Sequence, residues 1–523
     1  MKVNTNFTHF WFFISLTAIL IPSLTFAQKQ NKIKILGAKS AIMDTKKGTR
    51  ILVGDVRFKQ GKTLMFCDSA VSYAKANEMK AFGNVKIEDK SNHTTMVGDS
   101  LIYSSTTGIG KLRGSIVLKS KTQILKTSIL DFDTKSNLSK YYGGGTITNT
   151  ENNSVLKSER GYYYSNSQVF FFKKNVVYIN EEYTILSDTL EYVSLAEKVK
   201  FHGPTNITSD SNSIYCESGF YDKPNHLSTF SVNVKMISTE QTMNADSVIY
   251  NQQYKIGKAY GNVEILDTIN KSEIYGDYAK YNNIARTSLV TGNLRLVMEF
   301  TNDTLQLHSD SLFTNMDSTN QHRLVHAYHH VQFYKPDMQG KCDSLSLSEL
   351  DSTIRMYNTP VVWVDSNQVT GKEIIIKNYD GIIDNMQIFE EAFITSEEDS
   401  ALYNQVKGKA LYAHFKNNEI YKIDVNRSGQ TIYYARDEAN KLMGMNRLNC
   451  SNMSVFIDST GVNNIKFYKQ PDGTFLPMDK VTTEMKLLRH FYWRANEQPK
   501  TVEDIFNWTD VPDYITNRRV SRY

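Results

Sequence analysis

A short phrase recurs along most of this 523-residue chain. It consists of a small residue, an acid or its substitute, and then apolar and aromatic residues at alternating positions, as in Gly98-Asp99-Ser100-Leu101-Ile102-Tyr103. Its second position falls at residues 68, 99, 128, 159, 188, 217, 246, 277, 310, 343 and 373, so the period is close to 30 residues. A fixed period of this size is typical of repeat architectures, in which each copy buries its apolar face only by stacking on its neighbours.

A second marker lies between the copies and identifies the repeat as β. It is a turn followed by alternating apolar residues, as in Gly83-Asn84-Val85 and Gly261-Asn262-Val263. Apolar residues with a period of two indicate strands, and Gly-Asn suits turns that need positive φ. The 31 tyrosines and 26 phenylalanines also favour pleated surfaces. Each copy is therefore predicted to be a β-hairpin, and residues 32–457 an all-β, elongated solenoid or stacked jelly roll.

The two ends of the chain differ from the repeat. Lys2 and an apolar run from Phe10 to Phe26 precede a small-x-small site ending at Ala27, so residues 1–27 are predicted to be a secretory signal peptide of an exported chain, cleaved near Ala27. Residues 458–523 are predicted to form a cap or docking segment. A small helix is expected there, because Met485, Leu488 and Phe491 have helical spacing. The tail arginines 518, 519 and 522 are interpreted as solvated, with a contact to acidic headgroups or to an acidic partner as the alternative.

Four cysteines in an exported chain would ordinarily suggest two disulfides. However, Cys67, Cys216, Cys342 and Cys450 are more than one hundred residues apart in sequence, which corresponds to several repeats. Since each repeat advances about 10 Å and a disulfide needs Cα atoms within about 7 Å, four free, packed thiols are predicted.

Several function classes find no support in the residues. The net charge of +5 arises from interspersed charges, so no nucleic-acid partner is expected. The repeated acids are interpreted as corner carboxylates that accept backbone N–H groups rather than as metal ligands. The histidines 326, 329 and 330 lack an acid or cysteine partner at convincing zinc spacing. No nucleotide loop, serine elbow or H-E-x-x-H is present, so we expect no enzyme, no metal and no cofactor.

One stripe of side chains has the same phase in each copy and is the candidate site. It comprises Leu101, Tyr103, Leu190, Tyr192, Val248, Tyr250, Ala279, Tyr281, Leu312 and Leu345. Periodicity alone favours a closed, filled core for these residues.

Hairpins carrying Gly-Asn-Val and then Gly-Asp, as at Gly83-Asn84-Val85 with Gly98-Asp99, resemble the OstA-like family, which includes LptA and the N-terminal domain of LptD. Two further stretches are similar, Gly261-Asn262-Val263 with Gly276-Asp277 and the later run from Val425 to Tyr434. The resemblance covers most of residues 32–457. This sequence is far longer than a typical LptA and stops well short of the membrane barrel that completes LptD, so the resemblance does not imply an outer-membrane translocon.

The resemblance implies a V-shaped, open β-jelly roll whose apolar groove holds the acyl chains of lipopolysaccharide. It also implies a periplasmic bridge protein, with a possible association with the outer membrane. Its expected partners are lipopolysaccharide and other lipopolysaccharide-transport proteins of the inner and outer membranes, with end-to-end self-association as a further possibility. Two alternatives remain open at this point: a closed structural or adhesive β-solenoid, and a polysaccharide-cleaving β-helix.

Overall fold

A computed structural model describes residues 33–510, except residues 91–92, 302, 380–381, 438, 459–460 and 470. The predicted signal peptide and the tail arginines lie outside the described residues. Internal contacts divide the chain into two units, one ending at Ala259 and the other beginning at Tyr260. Among the described residues, no helix is both long and apolar enough to span a membrane.

The N-terminal unit consists of strands joined by short turns. Its strands are β1 (Lys34–Gly37), β2 (Ser40–Asp44), β3 (Thr49–Gln60), β4 (Thr63–Tyr73), β5 (Glu78–Asp89), β6 (Thr94–Ser104), β7 (Ile109–Lys119), β8 (Gln123–Asp133), β9 (Leu138–Asn149), β10 (Val155–Tyr164), β11 (Val169–Ile179), β12 (Thr184–Val193), β13 (Lys198–Thr208), β14 (Asn212–Asp222), β15 (Leu227–Ser238) and β16 (Gln241–Asn251). A single 3-10 turn, Ser194–Ala196, follows β12. Strand β17 (Ile256–Asp267) contains the boundary between the units.

The C-terminal unit repeats this pattern with shorter and then longer strands. They are β18 (Ser272–Asn282), β19 (Thr287–Thr291), β20 (Arg295–Glu299), β21 (Thr304–His308), β22 (Ser311–Met316), β23 (Arg323–Lys335), β24 (Met338–Ser348), β25 (Thr353–Tyr357), β26 (Val361–Val364), β27 (Asn367–Thr370), β28 (Glu373–Tyr379), β29 (Ile382–Asp399), β30 (Leu402–Lys416), β31 (Glu419–Arg436), β32 (Leu442–Asp458), β33 (Gly461–Tyr468) and β34 (Asp472–Pro477). The pairings described within each unit are antiparallel, as in β3 with β4 and β23 with β24. The prediction of an all-β hairpin repeat is confirmed.

A bulge interrupts the pairing of most long strands near the middle, with two residues on one strand opposite one residue on the next, as in Gly83 and Asn84 opposite Asp99. Between β5 and β6 the register stops at Phe82 and resumes at Val85, so Gly83 and Asn84 have no partner in that register. Gly83 and Asn84 both have positive φ, 73° and 44°. A bulge of this kind bends its strand. We call the bulge a corner, and the two strand halves that it joins arm A, on the side of Leu101, and arm B, on the side of Met96.

The repeated acids stabilise these corners. Asn84 Nδ2 donates to Asp68 Oδ2 at 2.8 Å, and Asn175 Nδ2 donates to Glu159 Oε1 at 2.6 Å. At Asp99 the donor is instead the backbone N–H of Ser115, at 3.1 Å. The predicted corner role is therefore confirmed, but a side-chain amide is the donor at several corners where a backbone N–H was expected.

Four buried thiols lie in these units, at Cys67, Cys216, Cys342 and Cys450, and all are free. The prediction of four free, packed thiols is confirmed. Burial raises the pKa of Cys67 to about 11 and that of Cys216 to about 12. These thiols therefore stay protonated at pH values where an unfolded chain ionises them.

Residues 478–510, which we call the C-terminal strap, cross the outer face of arm B in the C-terminal unit. Buried glutamines on the strands bind the strap backbone in both directions. Gln405 Nε2 donates to Lys486 O at 2.8 Å while Leu488 N donates to Gln405 Oε1 at 2.9 Å. In the same way, Gln368 Nε2 donates to Tyr492 O at 2.7 Å, and Arg494 N donates to Gln368 Oε1 at 2.6 Å. Each amide thus satisfies a strap donor and a strap acceptor, as a strand would.

The predicted C-terminal helix is wrong. The strap contains only the 3-10 turns Met478–Lys480, Thr483–Lys486, Ala495–Glu497 and Glu503–Phe506. Leu488 is buried against Phe393, Ile432, Tyr434 and Met445, whereas Met485 is exposed. Packing on the sheet and hydrogen bonds to the strand glutamines outweigh the helical spacing, because they use the backbone groups that a helix would pair internally.

A buried ion cluster holds the middle of the strap. Glu497 is bound by Arg494 through two contacts of 2.8 Å and by Lys341 Nζ at 2.8 Å. Burial alone would raise the pKa of Glu497, but the hydrogen bonds from Arg494 and Lys341 hold that pKa below its usual value. The Lys341 ammonium also lies 4.2 Å from the Trp508 ring centroid and donates to Thr509 O.

We expect Glu497→Gln to loosen the strap, because two buried cations would lose their counter-charge. Removing one partner of a buried ion pair costs about 3–5 kcal/mol. Hydrogen exchange should therefore accelerate across residues 478–510 and stay unchanged in the N-terminal unit. Glu503→Gln, an exposed change in the same strap, is the control. Equal exchange in the two variants would contradict the prediction.

We also expect the free energy of unfolding to fall as pH rises from 9 towards 11. The unfolded thiols ionise near the ordinary value of 9.0, while Cys67 and Cys216 stay protonated in the folded chain. The unfolded state then binds fewer protons, so it gains stability with pH, by about 1.4 kcal/mol per unit of pKa shift. Urea unfolding at several pH values measures this slope. In a Cys67→Ala, Cys216→Ala variant the free energy of unfolding should fall less steeply with pH. An identical pH dependence would show that these two thiols do not cause the loss of stability.

Candidate lipid-binding interior

One unbroken row of side chains lines the inner face of arm A in the N-terminal unit. Strand registers place Ala81, Leu101 and Leu112 next to one another on successive strands. The row continues through Leu130, Tyr141, Gly161, Phe172, Leu190, Phe201, Gly219, Phe230 and Val248. Because no charged residue stands in this row, a methylene chain lying along it would meet apolar groups or glycine throughout.

The C-terminal unit has a row of the same kind. It runs through Ala279, Val290, Leu312, Ala327, Leu345, Met356, Ile374, Ile388, Leu411, Val425 and Met453. Thus the structure brings Leu101, Leu190 and Val248 into one row of the first unit, and Ala279, Leu312 and Leu345 into one row of the second.

The predicted tyrosines lie in a parallel row one alternation further from the corner. Tyr103, Tyr192 and Tyr250 belong to the N-terminal unit, and Tyr281 begins the corresponding row of the C-terminal unit. All ten predicted residues are buried, with 8% exposure or less. Burial raises the pKa of Tyr250 to about 12, which agrees with an apolar surrounding.

Large rings in these rows alternate with very small neighbours. A methyl group added to Gly110 would lie 2.0 Å from the Phe132 ring, and one added to Gly161 would lie 2.2 Å from the Tyr141 ring. Tyr163 stacks on Phe170 with ring centroids 4.2 Å apart. The rings of Phe132 and Tyr141 therefore cover glycines of neighbouring strands, while Tyr163 and Phe170 cover each other.

The opposite wall, on arm B, was not predicted as part of the site. Its row begins at Phe58, Met65, Ile87 and Met96, and all its members are buried apolar residues. It continues through Leu118, Leu125, Ile147, Leu156, Tyr178, Ile185, Ile207, Ile214, Met236 and Met243. The sequence does carry a signal for this second wall, namely the alternating apolar residues that follow each Gly-Asn corner.

The two walls meet in this structure. A cavity of about 60 Å³ remains near the N-terminus between Met65 and Ile87 of arm B and Leu101, Tyr103 and Phe132 of arm A. A smaller one, of about 40 Å³, lies in the C-terminal unit between the same two kinds of wall, with Val406 on arm B and Ile423 on arm A. The side chains of both rows are buried, and each of these two cavities is too small for an acyl chain, so the interior is closed along the described rows.

The edge of the interior opposite the corners is formed by turns and carries polar groups. The buried side chains of Thr94, Gln123, Ser154 and Gln241 follow one row of turns in the N-terminal unit. Both amide atoms of Gln123 are buried and have no hydrogen-bond partner among the described residues. In the C-terminal unit, Asn418 Nδ2 of an arm A turn donates to Asp337 Oδ2 of an arm B turn at 2.9 Å and closes the edge there.

The histidine cluster does not converge on one point. His329 pairs with Asp343 at 3.2 Å and His330 with Asp310 at 2.9 Å, so these two serve different corner acids. His326 contacts Asn315 instead, at 3.2 Å. Within the described ranges, no three His, Cys, Asp or Glu side chains lie close enough together to hold a metal ion.

We expect Gly110→Ala to destabilise the N-terminal unit by about 1–3 kcal/mol, because the new methyl group collides with the Phe132 ring and the packed interior cannot absorb it. The urea midpoint of unfolding measures the change. Gly37→Ala is the control, since only the Arg57 guanidinium lies near that position, at 3.7 Å. Equal stability of the two variants would show that the ring is free to move.

Comparison with known proteins gives two matches to family models. A model described as OstA-like protein matches residues 30–188. A model described as LptA/(LptD N-terminal domain) LPS transport protein matches residues 206–381. Together the two ranges cover more than half of the chain.

Among solved structures, the chain is similar to LptH of Pseudomonas aeruginosa, described as the LptA homologous periplasmic component of the lipopolysaccharide transport device. The two are 20% identical over 20% of this chain and 78% of that chain, with a TM-score of 0.19. No curated protein sequence matches. On the evidence of its repeats and of the two family models, the chain belongs to an OstA/LptA-like family.

Proposed function

We propose that this chain is a periplasmic carrier that shields the acyl chains of lipopolysaccharide between arms A and B on their way to the outer membrane. The observation that carries the proposal is the pair of facing apolar rows, one on each arm, which continue from strand to strand. Each methylene group moved out of water gains about 0.8 kcal/mol. A lipid with several acyl chains therefore needs cover along its whole path, and unbroken rows supply it.

Lipid entry requires the arms to separate, since the interior is closed. The corners are the natural hinge, because the ladder hydrogen bonds stop on either side of the bulge, as between Phe82 and Val85. Opening there leaves the hydrogen bonds within each arm intact. The apolar contacts between the arms would be lost, but contacts with acyl chains would replace them. The pairs within each arm and the corner bonds, such as Asn84 to Asp68, would be kept.

The polar edge suits the other end of the lipid. Gln123 offers a buried amide donor and acceptor that have no partner among the described residues. An unsatisfied buried amide is costly, by about 1–3 kcal/mol. A polar group at the junction of acyl chain and headgroup would satisfy it. We therefore expect acyl chains inside the arms and headgroups at the row of turns.

The expected partners follow from the same function. Lipopolysaccharide itself would be the cargo, and transport proteins of the inner and outer membranes would deliver and receive it. End-to-end association of copies would lengthen the path. The closed interior is also the observation that favours a second function, that of a structural or adhesive β-solenoid whose rows form a permanent core.

Photocrosslinking in living cells separates the two functions. A photoreactive phenylalanine analogue at Tyr103, Tyr192 or Tyr250 should form adducts with lipopolysaccharide, because these rings line the proposed path. The same analogue at Tyr164, a tyrosine with 40% exposure, is the control. Adducts at the three inner positions and none at Tyr164 would establish a lipid path. A folded protein without inner adducts would leave the structural function.

A further inference from the structure

One corner of the N-terminal unit lacks the carboxylate that the others use. At the regular corners the acid side chain lies directly beside the corner glycine. A methyl group placed on Gly83 would be 2.4 Å from Asp68 Oδ2, and one on Gly114 would be 2.0 Å from Asp99 Oδ2. The same arrangement occurs in the C-terminal unit, at 2.7 Å for Gly292 and Asp277. A carboxylate at this point is thus a regular part of the repeat.

Ser128 replaces the acid at the next corner, opposite Gly143 and Gly144 of β9. Around Gly143 the nearest side-chain atoms are Ile129 Cδ1 at 3.6 Å and Ser128 Oγ at 3.8 Å. Gly144 takes the place of the corner asparagine, and a methyl group there would meet nothing within 4 Å. Both the carboxylate and the amide that fill a regular corner are therefore missing, and space remains.

A shallow cavity of about 330 Å³ lies beside this corner, with Gly144 and two exposed lysines in its lining. Lys126 and Lys157 are the register partners of Thr146 on either side, so their side chains flank the same point of β9. Gly144 and Gly145 form the floor. Gly143 and Gly144 both have positive φ, 84° and 98°, as Gly83 and Asn84 do at a regular corner.

Glu159 also lines the cavity, and its negative charge would repel an anion bound there. Its carboxylate is engaged at the following corner, where Oε1 accepts from Asn175 Nδ2 at 2.6 Å. Asn175 thus presents its donor to Glu159, as the asparagines do at other corners. With one carboxylate and two ammonium groups, the lining of the cavity keeps a net positive charge.

We propose that this corner binds a phosphate group, which takes the position that a carboxylate occupies at the neighbouring corners. Two ammonium groups match the double charge of a phosphate monoester better than the single charge of a carboxylate. The group would come either from free phosphate or from a lipid headgroup. The site lies on the corner surface and not between the arms, so it does not depend on the proposed acyl path.

Titration of the purified full chain with inorganic phosphate at constant ionic strength tests the site. Ser128→Asp restores the regular corner and places a carboxylate in the binding position, so we expect phosphate affinity to fall at least tenfold while the chain folds normally. The double variant Lys126→Gln, Lys157→Gln leaves the glycines intact and should lose affinity to a similar degree. Lys111→Gln, Lys140→Gln changes the charge equally at exposed positions of arm A and should bind as the original does.

Vesicles of phosphatidylcholine with and without phosphatidic acid distinguish the two sources. Binding of free phosphate alone supports a soluble ligand, and lysine-dependent binding of the phosphatidic acid vesicles supports a headgroup. Binding of neither probe would overturn the proposal, and so would equal binding by the Ser128→Asp variant. Failure of the acyl crosslinks would leave these outcomes unchanged, since inorganic phosphate has no acyl chain.

Discussion

The bulge in the middle of each long strand is the constraint on which the rest of this structure depends. An extended strand of ten or more residues would present one flat face, but a two-residue interruption bends it and lets one run of hairpins form two facing arms. The bend needs backbone with positive φ, which glycine and asparagine supply at least cost. The corner asparagines, and the backbone N–H of Ser115 at Asp99, also need an acceptor, and the corner acids provide it. This is why an acid and a Gly-Asn pair return with one period.

Separate demands act on the two faces of each arm. Inside, each residue must fit beside its register partners, so a large ring such as Phe132 is set against Gly110. Outside, the strands of arm B in the C-terminal unit carry buried glutamines and Lys341, which are polar because the strap lies over them. A polar buried residue in these strands therefore identifies a second covering layer rather than a defect in the core.

Sequence reasoning reaches what is local and periodic. The period located the corners, and equal phase placed Leu101 and Leu190 in one row. The facing row with Met96 and Ile147 was missed because the bulge shifts the alternation, so the inward positions on arm B cannot be counted from those on arm A. The C-terminal segment was predicted as a cap or docking segment, but its path across arm B was missed for another reason. Gln368 and Arg494 are 126 residues apart, and no local pattern in either segment signals their contact. The spacing of Leu488 and Phe491 fitted a helix, but it fits equally an extended segment that buries Leu488 alone.

Corners differ from the interior in how freely they can vary. An inner residue is fixed by neighbours on both sides and by the facing arm, so a change there disturbs packing along the row. A corner faces solvent and needs only a bend and a partner for its donors. When the partner is lost, as at Ser128, the backbone and the flanking lysines remain in place and a ligand can supply the missing charge. A repeat of this kind can therefore keep one apolar interior and acquire different binding properties corner by corner.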